Sequence, residues 1–222
     1  MNQGAPAYGL WGLVAINTLL FVFFAFSFFK PRTKRDWRTL GTFSGFIVAL
    51  FVEMYGFPLT VYLLSGWLGA KFPSLDPLSH DAGHLWYALL GLQGDPHTNP
   101  IHLLSNLFIF GGLLILALAW PVLYSAQRKC ELATLGPYKY VRHPQYLGFV
   151  LVMLGFLLQW PTLVTLVTFP ILLVVYVRLA HREEAEVASE FGPAWALYAA
   201  VTPRWFPKLG QGRNDRLARG VG

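Results

Sequence analysis

Residues 135–146 concentrate side chains that could bind a charged ligand. A Gly136-Pro137 turn precedes Arg142 and His143, and Pro144 then suits the first turn of an apolar helix, where its missing N–H costs nothing. An arginine can bind a carboxylate in a bidentate way, and a helix N-terminus favours an anion. The segment therefore predicts an anion-binding helix start. The alternative is that Arg142 and His143 anchor the chain to lipid phosphates.

A second charged segment, Arg182-Glu183-Glu184-Ala185-Glu186, follows the last apolar run. Its carboxylates stand out in a chain whose net charge is +6. They could receive an ammonium group, which makes Glu183 and Glu184 candidates for ligand binding. The alternative is a solvated helix face on which Arg182 pairs with Glu186 at the i, i+4 spacing.

The two segments flank one short apolar hairpin, residues 146–179, and must therefore lie close together. They would bring a guanidinium group, carboxylates, an imidazole and the rings of Tyr138 and Tyr146 to one place. S-adenosyl-L-methionine carries a carboxylate, an amino group, an adenine ring and a sulfonium cation, and aromatic faces attract cations. Each part of this molecule has a matching partner in the set, which predicts a site for S-adenosyl-L-methionine.

The same residues resemble the isoprenylcysteine carboxyl methyltransferase family and its relatives, the membrane phospholipid N-methyltransferases. The family pattern is a Gly-x-Tyr turn, Arg-His-Pro-x-Tyr, a hairpin, Glu-Glu, and Phe-Gly followed by a Tyr and a Pro-rich end. This chain has Gly136-Pro137-Tyr138, Arg142-His143-Pro144-Gln145-Tyr146, Glu183-Glu184, Phe191-Gly192, Tyr198 and Thr202-Pro203-Arg204-Trp205-Phe206-Pro207. The agreement runs from residue 136 to residue 207, whereas the first half of the chain matches only as apolar spans.

The resemblance implies an S-adenosyl-L-methionine-dependent methyltransferase. The implied cofactor-binding residues are Gln127, Leu132, Ala133, Tyr138, His143, Pro144, Tyr146 and Glu183. The predicted catalytic residues are Arg142, His143 and Glu184. Methyl transfer requires donor and acceptor to be held in line, and His143 or Glu184 would take a proton from a neutral acceptor.

The acceptor side departs from the family pattern. The family has a substrate-side arginine one turn before the Glu pair, and the matching residue here is Leu179. Arg178 and Arg182 are the predicted substitutes. Because the hairpin places the site beside the lipid, we expect a lipophilic or membrane-associated small-molecule acceptor. A large soluble protein without a lipid group is not expected.

The composition indicates an integral membrane protein. Of the 222 residues, 55% are hydrophobic and 13% are charged, against about 25% charged residues in soluble domains. Cys130 is the single cysteine, which excludes an intrachain disulfide and a cysteine-based zinc or iron–sulfur site. The basic residues sit between apolar runs, so the positive charge indicates membrane orientation rather than binding to nucleic acid.

The apolar runs predict an all-α bundle of about five transmembrane helices, since a bilayer core needs roughly 20 apolar residues per helix. A short helical region is expected to follow them on the cytoplasmic side. The spans are about 10–29, 41–68, 101–123, 146–160 and 162–179. They form one domain over residues 1–209 with its cofactor-binding part at 127–207, a short helix near 82–92 and a flexible tail at 210–222. Glu53, within the second span, would pair with Asn106 or another neighbour, or mark a break in the span.

The basic residues predict the orientation. With five spans, 16 of the 17 Lys and Arg residues fall on one side, and only Lys71 falls on the other. The positive-inside rule then places the C-terminus in the cytoplasm and the N-terminus outside, in a membrane that we expect to be the bacterial inner membrane.

Histidines on the opposite side support an alternative function. His80, His84, His97 and His102 occur there with Asp81 and Asp95. His80 and His84, at i and i+4, would share a helix face and are weak candidates for binding a metal, although local spacing fixes no third ligand. The histidines therefore indicate either a metal-handling membrane protein or a polar loop lying on the headgroups. A separate alternative for the whole chain is a membrane reductase, because the chain resembles some sterol reductases in its C-terminal architecture.

Overall fold

The computed structural model describes residues 8–28, 34–73, 76, 79–92 and 94–207, and within them it contains helices, turns and loops but no strand. The predicted all-α class is confirmed. The helices are α1 (Trp11–Phe28), α2 (Lys34–Phe51), α3 (Leu59–Lys71), α4 (Leu85–Leu89), α5 (Pro100–Lys129), α6 (Pro144–Gln159), α7 (Leu163–Phe191) and α8 (Pro193–Val201). The predicted tail, 210–222, lies outside the described residues.

The apolar helices occur where the spans were predicted. Among the described residues, α5 and α7 are each long and apolar enough to cross a membrane. The pair formed by α2 and α3 passes the same criteria together, with a bend of 56° between its halves. Helices α1 and α6 are apolar but shorter. The short helix predicted near residues 82–92 is α4.

The bend between α2 and α3 follows a π-helical turn, Val52–Gly56, that contains Glu53. The Glu53 side chain is buried, and its Oε2 accepts a hydrogen bond of 2.8 Å from the backbone N–H of Thr60 at the start of α3. The first backbone N–H groups of a helix have no partner within that helix, so a buried side-chain oxygen can satisfy one of them. Glu53 therefore marks the break in the second span, and the partner observed is Thr60 rather than Asn106.

Small residues allow α5 and α6 to pack closely along most of their length. A methyl group added to Gly112 would lie 2.6 Å from the carbonyl oxygen of Gly148, and one added to Gly155 would lie 2.7 Å from that of Ser105. A methyl group added to Gly148 would lie 2.7 Å from the side chain of Leu116. Close backbone approach through small residues is the usual mode of helix association in membranes.

Helices α6 and α7 form the predicted tight hairpin, joined by Trp160-Pro161-Thr162. Thr162 begins α7 with a capping box: its hydroxyl accepts from the backbone N–H of Thr165, whose hydroxyl accepts from the backbone N–H of Thr162. Helix α7 continues to Phe191, well beyond the predicted end of the fifth span at residue 179. The glutamate pair therefore lies on the spanning helix itself.

The hairpin gives the bundle two ends. The end at which α5 finishes and α6 begins is called here the motif end, because residues 135–146 lie there. The opposite end, where α5 begins and α6 finishes, is called the histidine end. Helix α6 has 16 residues, so the two ends are roughly 24 Å apart at 1.5 Å per residue.

Candidate functional site

The backbone at the motif end brings His143 to the start of α6. Helix α5 ends at Cys130, whose left-handed conformation (φ 55°) turns the chain into a loop. A 3-10 turn, Gly136–Lys139, follows, and Pro144 is then the first residue of α6 with His143 at its N-cap. The predicted helix start at Pro144 is confirmed by this geometry.

Glu184 binds three side chains that come from three parts of the chain. Arg204 forms a bidentate pair with it, at 2.9 Å from Nε to Oε1 and 2.5 Å from Nη2 to Oε2. His143 Nε2 lies 3.1 Å from Oε1, and Arg142 Nε lies 3.3 Å from the same oxygen. The Glu184 side chain is 11% exposed. Its charge is therefore already matched by protein groups.

Glu183, in contrast, keeps part of its carboxylate open, with 36% of the side chain exposed. Its Oε1 accepts a hydrogen bond from the hydroxyl of Tyr146, which is buried. Its Oε2 lies 3.6 Å from His143 Nδ1, which is too long for a hydrogen bond. His143 Nδ1 is buried and has no hydrogen-bond partner among the described residues.

Burial lowers the pKa of His143 to about 4, against the raising effect of its hydrogen bond to Glu184. The imidazole is therefore neutral at neutral pH. Because a carboxylate only accepts, Nε2 carries the proton that is donated to Glu184, and Nδ1 carries a lone pair. His143 thus presents an acceptor nitrogen that lacks a partner beside the open carboxylate of Glu183.

Tyrosines close the side of the site next to the turn. The Tyr138 hydroxyl donates to Gln145 Oε1 at 3.0 Å, and the Tyr198 hydroxyl donates to the Tyr138 carbonyl oxygen at 2.7 Å. Burial, with a smaller effect from Glu183, raises the pKa of Tyr138 well above its usual range. Both hydroxyls are therefore neutral donors that hold the turn against α6 and α8.

Residues 202–207 cross over the site as a bent, non-helical segment, called here the C-terminal strap. The Arg142 backbone N–H donates to the Pro203 carbonyl oxygen at 2.9 Å. The Trp205 and His143 ring centroids are 5.5 Å apart, and Arg204 binds Glu184. Arg204 Nη1 also lies 3.1 Å from His181 Nε2. Arg204 was predicted only as part of the Pro-rich end. It is the one cation within that matched motif, and this was the signal that could have identified it as a site residue.

The structure brings together six of the predicted residues and leaves others apart. The residues that meet in the cluster are Tyr138, Arg142, His143, Tyr146 and the Glu183-Glu184 pair, and Pro144 is buried beside them. His143 is buried, Arg142 is partly buried, and both pair with Glu184, which argues against their being lipid anchors. Their side chains are 14% and 6% exposed.

The remaining predicted residues stand outside this hydrogen-bonded cluster. Gln127 is exposed on the last turn of α5, and Leu132 and Ala133 are half-buried in the loop that follows. Arg178 and Arg182 are exposed on α7, whereas Leu179 lies on its buried face. Their roles stay predictions.

The histidine end differs from its prediction. His80 lies in a 3-10 turn, His80–Gly83, and His84 lies between that turn and α4, so the two residues do not share one helix face. His84 lies instead beside His97 and His102, with ring centroids 5.0 and 5.5 Å away. The i, i+4 interpretation was wrong because a single 3-10 turn replaces the expected helix.

Fold and site together define a helical membrane protein with a charged, aromatic site at one end of a hairpin. Residues 118–194 match the family model described as phospholipid methyltransferase. This segment includes α6, all of α7 and the residues of the cluster other than those of α8 and the C-terminal strap. The resemblance predicted from the motifs is confirmed for this part of the chain.

A similar curated protein is the cobalt-zinc-cadmium resistance protein CzcN of Cupriavidus metallidurans, which is 36% identical over 118 residues. The aligned region covers 50% of this chain and 54% of that protein, so the match spans about half the length of the curated relative. No solved structure matches this chain.

Proposed function

We propose that this protein transfers a methyl group from S-adenosyl-L-methionine to a lipophilic or membrane-associated small acceptor, with the cofactor bound at the motif end. The observation that carries the proposal is a 36% exposed Glu183 side chain beside the buried Nδ1 of His143, which has no hydrogen-bond partner among the described residues. The match of residues 118–194 to phospholipid methyltransferases supports methyl transfer over the reductase alternative.

The groups present fit the cofactor. Glu183 offers a partly open carboxylate to an ammonium group, and the lone pair of His143 Nδ1 offers a buried acceptor. Arg142 Nε is a buried donor without a hydrogen bond and suits a carboxylate. The rings of Tyr146 and Trp205 flank His143, with centroids 5.7 and 5.5 Å from its own, and provide faces for a cation.

The residues then divide the work of binding and positioning. When bound, S-adenosyl-L-methionine supplies an electrophilic methyl group on sulfur. Glu184, held by Arg204, orients Arg142 and His143 and acts as a positioning residue rather than a base. His143 stays neutral and is able to accept a proton at Nδ1, while Glu183 binds and orients the ligand. The chain contributes mainly near-attack geometry, which is the larger part of catalysis for such a displacement.

The acceptor would reach the site from the lipid. The face of α7 that precedes the glutamate pair exposes Ile171, Val174 and Val177, which are 54%, 50% and 42% exposed. Such a face contacts acyl chains, so an apolar molecule in the membrane has a path to Glu183. Arg178 and Arg182, exposed on the same helix, are the proposed groups for the polar end of the acceptor.

The proposed location is the bacterial inner membrane, with the motif end at the cytoplasmic face and the N-terminus outside. The charges that support this orientation include Arg128, Lys129, Lys139, Arg178 and Arg204, all near the motif end. S-adenosyl-L-methionine is made inside cells, which is consistent with a cytoplasmic site.

Transfer of labelled methyl groups tests the proposal. Membranes containing the protein are supplied with S-adenosyl-L-methionine labelled on the methyl group, and label in the lipid extract is counted. Wild type and Glu190→Gln, a matched change at an exposed glutamate of α7, should incorporate label equally. Glu183→Gln should incorporate at least about tenfold less, since a charge-assisted hydrogen bond contributes roughly 1.5–3 kcal/mol. Equal incorporation in all three proteins, or none in wild type, would contradict it.

A second role remains a candidate. The name of the curated relative refers to metal resistance, which favours the metal-handling alternative at the histidine end. The two roles are compatible because their residues lie at opposite ends of α6.

A further inference from the structure

Three histidines from three separate segments meet at the histidine end. His84 precedes α4, His97 lies in the 3-10 turn Pro96–Thr98, and His102 lies in the first turn of α5. Their ring centroids are 5.0, 5.3 and 5.5 Å apart in the three pairs. The fold thereby supplies the third histidine that local spacing did not.

Hydrogen bonds hold two of the rings in a defined tautomer. His84 Nδ1 lies 2.9 Å from the Gln159 carbonyl oxygen, and His97 Nδ1 lies 2.8 Å from Asp95 Oδ1. Both oxygens only accept, which places the proton on Nδ1 and, in each neutral ring, the lone pair on Nε2. A carbonyl or carboxylate behind the imidazole is the usual support of a metal-binding histidine.

The third ring, that of His102, makes its contact through Nε2 rather than through Nδ1. His102 Nε2 lies 3.4 Å from the side-chain amide of Gln159, at the end of α6. His102 Nδ1 is buried and has no hydrogen-bond partner among the described residues. A buried nitrogen without a partner is costly. A bound cation would satisfy His102 Nδ1 with the Gln159 amide turned by 180°, so that its oxygen accepts the proton of His102 Nε2.

We propose that His84, His97 and His102 form a binding site for a divalent transition-metal ion such as Zn²⁺ or Co²⁺. Zinc–nitrogen bonds of about 2.0–2.1 Å in tetrahedral geometry place the centroids of bound imidazole rings roughly 5 Å apart, which agrees with the spacing here. The ligand atoms would be Nε2 of His84, Nε2 of His97 and Nδ1 of His102, with Asp95 and Gln159 as supporting groups.

The rings must rotate to bind the ion. No group of three or more His, Cys, Asp and Glu side chains in the described part of the chain already has the geometry to hold a metal. The His97 side chain is 45% exposed, and Asp95 beside it is 59% exposed, so this side of the triad can adjust and is open to ions. Three protein ligands leave a fourth position for water or a second ligand, as in exchangeable rather than closed zinc sites.

The charge around the triad favours a cation. Lys71 is the one basic residue between Arg38 and Arg128 in the sequence, and Asp95 adds a negative charge next to His97. His84 and His102 also line a cavity with Asn99, Tyr87 and Gln159 in its wall. The site is independent of the methyl-transfer proposal, because His143 and Glu183 lie at the motif end.

Titration of the detergent-purified, tag-free protein with Co²⁺ tests the inference, because tetrahedral Co²⁺ gives characteristic visible absorption. We expect saturation at one ion per chain, competed by Zn²⁺. His97→Ala and His102→Ala should each weaken the affinity at least about tenfold, and Asp95→Asn about 10–100-fold, as supporting groups do. His181→Ala, a histidine at the motif end, should bind like wild type.

Two results would overturn the site. One is wild-type binding no tighter than that of His97→Ala and His102→Ala, and the other is an equal loss in His181→Ala. Melting temperatures measured without metal check that each variant is folded. If His102→Ala does not fold, His97→Ala, at an exposed position, tests the site alone. The titration uses neither S-adenosyl-L-methionine nor an acceptor, so its failure would leave methyl transfer untouched.

Discussion

Two neighbouring glutamates on α7 have different surroundings, and we therefore propose different roles for them. Glu184 is enclosed by Arg204, Arg142 and His143 and is 11% exposed, whereas Glu183 accepts a hydrogen bond from Tyr146 and is 36% exposed. Residues adjacent on a helix point about 100° apart, so one carboxylate can be buried while the next faces a ligand. A sequence pattern of two glutamates does not carry this distinction.

Replacing Arg204 tests the positioning role of Glu184. Arg204→Ala removes the bidentate partner, so Glu184 no longer fixes His143 and Arg142. We expect the Kd for S-adenosyl-L-methionine to rise about tenfold although Arg204 is not proposed to touch the ligand. Arg204→Lys should recover only part of the loss, because lysine cannot bind a carboxylate in a bidentate way. Calorimetry on both variants checks this, with the exposed Arg128→Ala as control; an unchanged Kd in Arg204→Ala would refute the role.

The buried His143 gives the protein a pH-dependent stability. Its pKa is about 4 in the folded protein, against about 6.5 in an unfolded chain. The unfolded state therefore binds the proton first, and stability is lost as the pH falls from about 6.5 towards 4, at up to about 1.4 kcal/mol per pH unit. His143→Gln should lose less melting temperature than wild type between about pH 7 and pH 5. His181→Gln is the control, and parallel curves for wild type and His143→Gln would contradict the buried, neutral state.

At the scale of helices, the contact between α5 and α6 positions the site, because α5 leads into the turn and α6 carries His143. Gly112 is closely covered by α6, whereas nothing lies within 4 Å of a methyl group placed on Gly111. Gly112→Ala should therefore destabilise by about 1–3 kcal/mol through overpacking. Gly111→Ala, on the same turn, should be neutral or stabilising by up to about 1 kcal/mol. Thermal unfolding in detergent compares them, and equal stability of the two variants would show that the helices are not in close contact here.

The elements were largely predictable because long apolar runs bounded by Gly, Pro and charges define membrane helices without reference to tertiary contacts. The helix start at Pro144 followed in the same way, since proline acts locally. The continuation of α7 from the predicted fifth span through Glu184 was not predicted. The apolar run ends before Glu184, and that residue is buried by contacts with charged partners rather than with lipid. The partner of Glu53 and the meeting of His84 with His97 and His102 depend on packing between distant segments, which no local spacing encodes.

At the scale of the whole molecule, the proposed orientation places the motif end in the cytoplasm. Cys130 is exposed at the end of α5 and is the single cysteine, so it reports on that side directly. A membrane-impermeant maleimide should label Cys130 in inverted membrane vesicles but not in intact spheroplasts. The Cys130→Ser, Thr98→Cys variant should show the reverse pattern, because Thr98 is exposed at the histidine end. Labelling of Cys130 from outside would invert the proposed topology.

Two helices, α5 and α6, connect the motif end with the histidine end, and the two ends are candidates for different chemistry. Helix α5 begins beside His102 and ends near the turn that leads to His143, and α6 runs from His143 to Gln159. Each end can be altered without touching the other. Variants of His97 should therefore leave cofactor binding unchanged, and variants of Glu183 should leave metal binding unchanged.

The most direct test of the central claim is calorimetric titration of the detergent-purified protein with S-adenosyl-L-methionine, alongside Glu183→Gln, His143→Ala and the matched control Glu190→Gln. We expect one site per chain in wild type and Glu190→Gln, and affinity lowered at least about tenfold in Glu183→Gln and His143→Ala, as for loss of charge-assisted hydrogen bonds. Absence of binding by folded wild-type protein, or equal affinity in all four proteins, would contradict a cofactor site at the motif end.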